Sequence, residues 1–253
     1  MNPFGKFALR EPRMLLPHGG IDLTKWAVIA CDQHTAQPEY WERVEKTVGD
    51  APSTLHIIYP EAWLSQGDAR IARINGHMGA YARDVLTRRV RGFEVVWRTT
   101  DSGTRLGLMA EIDLEAYDPA PGSETLVRAT EGTILERIPP RVRIRRDATL
   151  ETPHILMLAD DPGRTLIEPL AEALSDAMPL YDAPLMLGGG RVKGTLVPEH
   201  LHAGMLRALE GLLSASQGLL FAAGDGNHSL ATARASVRSA RALPTSSCAL
   251  SWF

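Results

Sequence analysis

The hydrophobic period of this chain changes near residue 90, and that change restricts the fold class more than any other pattern. From Ala69 to Val90 apolar side chains recur every three or four residues, which predicts a long amphipathic helix. Residues 93–97 and 105–114 instead have strand character, and the segment 101–103 between them (Asp-Ser-Gly) is typical of a hairpin turn. This succession favours an α+β protein with a mixed, largely antiparallel sheet and flanking helices over a doubly wound parallel sheet.

Other apolar runs and turn residues predict further elements. The predicted strands are 26–31, 55–59, 154–158 and 219–223, and the predicted helices are 38–48, 165–177, 199–213 and 229–242. The Pro- and Gly-containing segment 118–122 suggests a boundary between an N-terminal α/β region, 1–118, and a second region, 119–242. Residues 243–253 would form an irregular tail, and a single domain remains an alternative.

Composition narrows the function classes. The chain has 253 residues, of which 44% are hydrophobic, and a formal net charge of −3. This near-neutral balance argues against a nucleic-acid partner, which would require a basic excess or stripe. No apolar run approaches the roughly 20 residues that span a bilayer, and the N-terminus lacks the apolar core of a signal peptide. We therefore expect a cytoplasmic protein with no membrane partner.

The segment Gly224-Asp225-Gly226-Asn227-His228-Ser229 is the first candidate site, because it joins a predicted strand to a predicted helix. The first N–H groups of a helix lack intrahelical acceptors, and the helix dipole favours an anion there. We expect Gly226 and Asn227 to contact phosphate, Asp225 to bind Mg²⁺, and Asp225 and His228 to be catalytic. The alternative is an ordinary turn in which Asn227 or Ser229 caps the helix.

Arginines upstream could neutralise a phosphate. Arg128, Arg137 and Arg141 lie beside Thr, Gly and Pro turn residues, so we predict that these three face a ligand. Arginines 141, 143 and 145 alternate with apolar residues, which predicts a strand. For 143 and 145, as for 146, a solvated face is the preferred interpretation.

Three further features are weaker signals. Residues 188–194 combine three glycines with Arg191 and Lys193, so they form either an anion-binding nest, in which Lys193 contacts a cofactor, or a flexible hairpin turn. The group 32–34 (Asp-Gln-His) could hold a metal or supply a general base. Cys31, inside an apolar run, is expected to be an inert buried thiol, and His154 an ordinary surface or core histidine.

Five blocks of sequence together resemble the family catalogued as domain of unknown function 1015. The blocks are Lys25-Trp-Ala-Val-Ile-Ala-Cys-Asp-Gln33, Gln37-Pro-Glu-Tyr-Trp41, Arg128-Ala-Thr-Glu-Gly-Thr133, Glu136-Arg-Ile-Pro-Pro-Arg141 and Gly224-Asp-Gly-Asn-His-Ser229. Members of that family are usually longer, and the sequence after Arg241 has no periodicity and no charge. We therefore expect a C-terminally truncated chain.

The resemblance carries functional implications. The Asp-Gly-x-His segment of that family is similar to the one in the ParB/sulfiredoxin superfamily, which includes free-serine kinases. It implies a ParB/sulfiredoxin-like core near the C-terminal part, binding of ATP or ADP, and serine or phosphoserine as substrate. By the same resemblance Asp225, Gly226 and His228 are phosphate-site residues. Relatives commonly carry arginine where this chain has Ser229, so the charge of that arginine must come from elsewhere.

These observations lead to one functional expectation and two alternatives. The expected function is a phosphotransferase or phosphatase that acts on a small hydroxylated metabolite, with Mg²⁺ and a nucleotide as candidate cofactors. The alternatives are a module that binds a nucleotide or phosphorylated metabolite as a switch without turnover, and a truncated inactive fragment.

Overall fold

A computed structural model describes residues 2–152 and 154–241 of the chain, and twelve strands and seven α-helices lie in that part. The strands are β1 (Leu9–Arg10), β2 (Arg13–Leu16), β3 (Arg88–Arg91), β4 (Glu94–Thr100), β5 (Gly103–Met109), β6 (Glu111–Ile112), β7 (Tyr117–Asp118), β8 (Val127–Ala129), β9 (Leu156–Leu158), β10 (Tyr181–Leu185), β11 (Gly190–Leu196) and β12 (Phe221–Asp225). The helices are α1 (Leu23–Trp26), α2 (Pro38–Val48), α3 (Gly67–Asp84), α4 (Ile138–Arg145), α5 (Ile167–Ala173), α6 (His202–Ala215) and α7 (Asn227–Arg241).

Two four-stranded sheets form the framework. The first has the order β10-β11-β4-β5 and is antiparallel throughout. The second has the order β7-β8-β12-β9, in which β12 runs parallel to β8 and antiparallel to β9. Two further pairs, β1-β6 and β2-β3, are antiparallel. The predicted α+β class with a mixed, largely antiparallel arrangement is confirmed.

Two main hydrophobic clusters fill the interior. One contains Phe4 and Phe93 together with Phe221 and helices α5 to α7, so it includes residues from both sides of position 118. The other surrounds Trp26 and Trp41 and is built mainly from residues 26–86. The boundary near residue 118 stays a prediction. The predicted tail 243–253 lies outside the described residues.

Several predicted elements are confirmed. Helix α2 begins at Pro38 and ends at Val48 as expected, because proline at the first helical position has no N–H to leave unpaired. Strands β4 and β5 form the expected hairpin around residues 101–102. The glycine segment 188–190 lies at the turn of the β10–β11 hairpin, which agrees with the hairpin interpretation of that segment.

Two predicted strands are wrong. Trp26 ends the short helix α1, whose first turn is capped by the Asp22 side chain, and residues 27–31 form an irregular stretch that leads into a turn. Its N–H at Val28 donates to the Thr54 hydroxyl instead of to a neighbouring strand. The apolar run 55–59 also contains no strand: Ser53 caps a 3₁₀ turn at Thr54–His56. Both runs are apolar because most of their residues are buried. A buried irregular segment is as apolar as a buried strand, so the pattern does not distinguish the two.

The predicted arginine strand is wrong as well, since residues 138–145 form α4 with Pro139 and Pro140 in its first turn. These prolines favour helix initiation and outweigh the alternating pattern. The long helix predicted to Val90 ends at Asp84, and the last predicted residues instead form β3, which pairs with β2. The helix predicted from Ser229 begins two residues earlier, at Asn227.

Candidate functional site

The junction between β12 and α7 forms the floor of the candidate site. β12 ends at Asp225, and Gly226 has a φ of +82°, a conformation that side-chain-bearing residues rarely adopt. A Cβ atom at Gly226 would lie 3.2 Å from Cα of Ile155, so the close approach of that backbone also requires glycine. The chain therefore turns sharply from the centre of a sheet into a 15-residue helix.

The first turn of α7 leaves backbone donors free. The N–H of Gly226 donates to the Asp225 carboxylate at 2.8 Å, and the N–H of Leu230 donates to the carbonyl of Gly226 at 2.9 Å. Among the described residues, nothing accepts from the N–H groups of Asn227, His228 and Ser229. These three donors and the positive end of the helix dipole are suited to an anion.

The pairing of β8 with β12 brings two distant sequence blocks together. Ala129 lies opposite Ala223, and the hydroxyl of Thr130 donates to the Ala223 carbonyl at 2.6 Å. The side-chain amide of buried Asn227 donates to the same hydroxyl at 3.3 Å. Asn227 therefore anchors the start of α7 to the segment after β8, and its side chain serves the structure of the loop.

His228 faces α4, which packs against α7. Its Nε2 accepts the backbone N–H of Ile134 at 3.1 Å, so the neutral ring carries its proton on Nδ1. Burial lowers the pKa of His228, and the nearby positive charges of Arg141 and Arg137 lower it further. His228 is therefore neutral at pH 7, and a bound anion that offset these charges would raise its pKa.

The four predicted basic residues lie in different surroundings. Arg137 is exposed at the start of α4, and Arg141 is half-buried and paired with Glu61. Arg128 uses its guanidinium to hold the carbonyls of Thr125 and Gly218, at 2.8 Å and 3.1 Å.

Lys193 lies on β11 in the other sheet. Its ammonium group is 4.5 Å from the centre of the Trp97 ring and donates to the Ser175 carbonyl at 3.3 Å. The structure thus brings Arg137 and Arg141 near His228. Arg128 instead contacts backbone carbonyls, and Lys193 contacts a carbonyl and the Trp97 ring.

A histidine that the sequence interpretation treated as ordinary lies beside the loop. His154 precedes β9, and its Nε2 is 3.2 Å from the hydroxyl of Ser229 and 3.1 Å from the carboxylate of Asp32. Its Nδ1 faces the Sγ of Cys31 at 4.0 Å. Nothing in the sequence pairs His154 with residues 31 and 32, which precede it by more than a hundred positions; only the folded chain shows this.

His154 carries a positive charge at neutral pH. Burial alone would lower its pKa, but the hydrogen bonds with Asp32 and Cys31 outweigh burial and raise the pKa to about 10. The same contact with His154 holds the pKa of Asp32 below its usual range despite the burial of that carboxyl. The side chain of His154 is only 12% exposed, so this ion pair is poorly screened by solvent.

The geometry excludes Ser229 as a nucleophile activated by His154. In a serine triad the serine and the carboxylate occupy opposite nitrogens of the imidazole. Here both contact Nε2, and the ring is already protonated, so it cannot accept the Ser229 proton. The single Nε2–H of the imidazolium is shared between the Asp32 carboxylate and the Ser229 oxygen, which leaves the hydroxyl proton free to donate to a ligand.

Some of these residues line one cleft with a volume of about 1510 Å³, whereas Gly226, Asn227, His228 and Arg137 are not among its lining residues. Asp225 and Ser229 line it at the α7 end, and Cys31, Asp32 and His154 line it beside Ser229. Arg141 and Glu61 line it as well. A cleft of this size accommodates a small metabolite or a nucleotide.

The described residues contain neither a metal-binding cluster nor a membrane-spanning helix. Within residues 2–152 and 154–241, no group of three His, Cys, Asp or Glu side chains is arranged to hold a metal ion. In the same part of the chain, no helix combines the length and apolar character needed to cross a membrane.

Fold and site together define an α+β protein with a largely apolar cleft, whose polar lining residues include Asp225 and Ser229 at the start of α7. Residues 15–248 match the family described as "Protein of unknown function (DUF1015)", and the chain belongs to that family. No curated protein and no solved structure shows significant similarity to the chain.

Proposed function

We propose that this protein transfers or removes a phosphoryl group on a small hydroxylated metabolite bound in the cleft. The observation that carries the proposal is the first turn of α7, where Ser229 lines the cleft and contacts a charged imidazole. Three backbone N–H groups lack acceptors there, and the imidazolium of His154, which is paired with Asp32, contacts the Ser229 hydroxyl at the same place. These are the donors and charges that a phosphate dianion requires.

Arginines add to this positive field from the other side of α7. Arg137 and Arg141 are close enough to His228 to lower its pKa. Arg141 is partly neutralised by Glu61, so Arg137 is the more available cation. A phosphate at the start of α7 would therefore lie between an imidazolium and at least one guanidinium.

The family resemblance supports the same ligand class. If the loop is related to that of the ParB/sulfiredoxin superfamily, Ser229 stands where relatives have arginine. The contact between Ser229 and His154 then supplies a positive charge at that position in another way. The resemblance further suggests serine or phosphoserine as substrate and ATP or ADP as phosphoryl donor or acceptor.

Two roles follow for the loop residues. Phosphoryl transfer depends mainly on positioning and charge neutralisation. The exposed Asp225 carboxylate faces the cleft and is placed to accept a proton from a substrate hydroxyl. It also offers one ligand for Mg²⁺, which proteins often hold with one or two carboxylates plus substrate phosphates. His228 can donate from Nδ1 to a phosphate oxygen.

The test combines binding and turnover. Isothermal titration with phosphoserine, ADP, ATP and inorganic phosphate should detect binding of at least one phosphorylated ligand. Phosphate release or phosphoserine formation should then be measured with that ligand in the presence of Mg²⁺. We expect Asp225→Asn to reduce turnover by about 100-fold or more while binding persists.

The matched control is Asp101→Asn, an exposed aspartate in the β4–β5 turn, which should leave both measurements unchanged. Full turnover in Asp225→Asn and in His228→Gln would remove both residues from the mechanism. Failure of the wild-type protein to bind any phosphorylated ligand would refute the phosphate site itself.

A phosphometabolite-binding switch without turnover is the second candidate, and the histidines favour it. His154 is already protonated at neutral pH, so it cannot take a proton from a substrate hydroxyl, and Nε2 of His228 is already occupied by a backbone N–H. Binding that shifts the thermal unfolding midpoint by several degrees, with no turnover of any ligand in the panel, would support this candidate over the enzyme.

A further inference from the structure

We propose that Cys31 is a second reactive centre of the cleft, a thiolate nucleophile that attacks the carbonyl carbon of a small acyl compound. This activity goes beyond the phosphate site and depends on residues 31, 32 and 154. Each nitrogen of His154 contacts a different neighbour, and the thiol is exposed to the cleft.

The imidazole of His154 has a different neighbour on each nitrogen. Nδ1 faces the Sγ of Cys31 at 4.0 Å, and Nε2 contacts the Asp32 carboxylate at 3.1 Å. In cysteine-dependent hydrolases the thiolate and the orienting group likewise lie on opposite sides of a histidine. Hydrogen bonds of this kind are often long without substrate, so 4.0 Å is compatible with a functional pair.

The charge of His154 suits a cysteine and does not suit a serine. A serine nucleophile needs a neutral imidazole that removes its proton, whereas a cysteine nucleophile works as a thiolate paired with an imidazolium. Burial opposes the charge of His154, but its hydrogen bonds with Asp32 and Cys31 raise its pKa to about 10. The imidazolium is therefore present throughout the neutral range, beside Cys31.

The backbone fixes this arrangement on the side of Cys31 and Asp32. The N–H of Gln33 donates to the Ala30 carbonyl at 3.1 Å, so Cys31 and Asp32 are the two central residues of a tight turn. The Cys31 carbonyl accepts the N–H of Glu61 at 2.8 Å, which ties the turn to the neighbouring segment. One rigid turn thus presents a thiol and a carboxylate to the two nitrogens of a single ring.

Cys31 is accessible to a small molecule. Its side chain is half-buried and lines the cleft, where an inert core cysteine would be enclosed by apolar side chains. The expectation of an inert buried thiol is therefore replaced by that of a thiol open to the cleft. The apolar run before it reflects the buried residues Trp26, Ala27 and Val28, whereas the residues that follow the turn are exposed.

The proposed reaction is balanced with water as the only co-reactant. The Cys31 thiolate adds to the carbonyl carbon, the bond to the leaving nitrogen or oxygen breaks, and the leaving group takes the Nδ1 proton of His154. A thioester on Cys31 and a neutral imidazole remain. Water then loses a proton to His154 and attacks the thioester, which releases the carboxylic acid and restores the thiolate–imidazolium pair.

The test uses p-nitrophenyl acetate as the acyl probe and iodoacetamide as the alkylating probe. Peptide mapping by mass spectrometry distinguishes Cys31 from the other cysteine, Cys248. We expect acetylation of Cys31 with release of p-nitrophenol, and alkylation at about pH 6 roughly 10- to 100-fold faster than that of free cysteine. In His154→Gln the alkylation rate at this pH should fall to that of free cysteine, whereas the matched variant His200→Gln, at an exposed histidine, should behave as wild type.

The proposal is overturned if wild-type Cys31 is alkylated with the rate and pH dependence of free cysteine, a result that does not depend on any variant folding. It is also overturned if Cys31 is alkylated rapidly but never acetylated, because the acyl substrate class would then be wrong. The substitution Asp32→Asn tests whether Asp32 positions His154 or only supports the fold. If Asp32 positions His154, the pH dependence of Cys31 alkylation should move toward that of free cysteine while the unfolding midpoint stays unchanged. Phosphate binding is measured separately and is expected to survive Cys31→Ser, so failure of either proposal is recognised independently.

Discussion

Glu94 at the start of β4 provides a quantitative test of how this fold treats a buried charge. Its side chain is 1% exposed and lies with the ring of Tyr181 over Gly194, where an added Cβ would be only 1.6 Å from the Glu94 carboxylate oxygen. Glycine at position 194 therefore creates the space for the carboxyl. Burial raises the pKa of Glu94 from 4.5 to about 7, although the Tyr181 hydroxyl lowers it somewhat by hydrogen bonding.

The shift translates into a pH-dependent free energy of unfolding. Each pKa unit corresponds to about 1.4 kcal/mol, so a shift from 4.5 to about 7 corresponds to about 3 kcal/mol. The folded state binds the proton of Glu94 more tightly than the unfolded state does. The stabilisation associated with the neutral carboxyl is therefore fully present below pH 4.5 and is lost as the pH rises through about 7.

The substitution Glu94→Gln keeps the shape of the side chain and removes the titration. Urea unfolding of both proteins at about pH 5 and about pH 8 should show that the variant gains about 2.5 kcal/mol relative to wild type between the two conditions, because the unfolded carboxyl is already partly ionised at pH 5. The control Glu124→Gln, at an exposed glutamate, should show no such gain. A difference between wild type and Glu94→Gln that is the same at both pH values would refute the reasoning.

Three further substitutions test the site and its supports. Gly226→Ala forces a side chain into a φ of +82° against Ile155, and we expect urea unfolding to show a loss of about 1–3 kcal/mol together with weaker phosphate binding. Arg128→Ala removes the partner of two backbone carbonyls, which should cost about 1–3 kcal/mol of unfolding free energy while phosphate binding by the folded protein is unchanged. Ser229→Ala removes the hydroxyl between His154 and the ligand, and isothermal titration should show about a tenfold loss of phosphate affinity with an unchanged unfolding midpoint.

The sequence was informative where local pattern and local structure agree. The β4–β5 hairpin and α2 follow from turn residues, alternating hydrophobicity and a proline at the first helical position. The pattern failed at residues 26–31 because an apolar run reports burial, and here the buried segment bonds to the side chain of Thr54. It failed at α4 because two prolines outweighed an alternation of three arginines.

The candidate site was predictable only in its local part. The segment from Phe221 to Ser229 contains its own local signals. They are an apolar strand, a glycine and a helix start, and the structure has them in that order. The role of His154 depends on tertiary contacts with Cys31 and Asp32, so no short window of sequence contains all three residues. Arg128 resembles a ligand-binding arginine in sequence, but two carbonyls oriented by folding occupy its guanidinium.

The central position of β12 has a consequence for how the chain reaches its folded state. Both neighbours of β12, β8 and β9, precede it in the chain, and its parallel partner β8 begins 94 residues earlier. During synthesis from the N-terminus, β8 and β9 therefore remain without their shared partner until the last part of the chain emerges. Unpaired strand edges invite association with other chains. We therefore expect translation stalled before residue 221 to yield an aggregation-prone species, since the strand that delivers Asp225 to the cleft is also the one that closes the sheet.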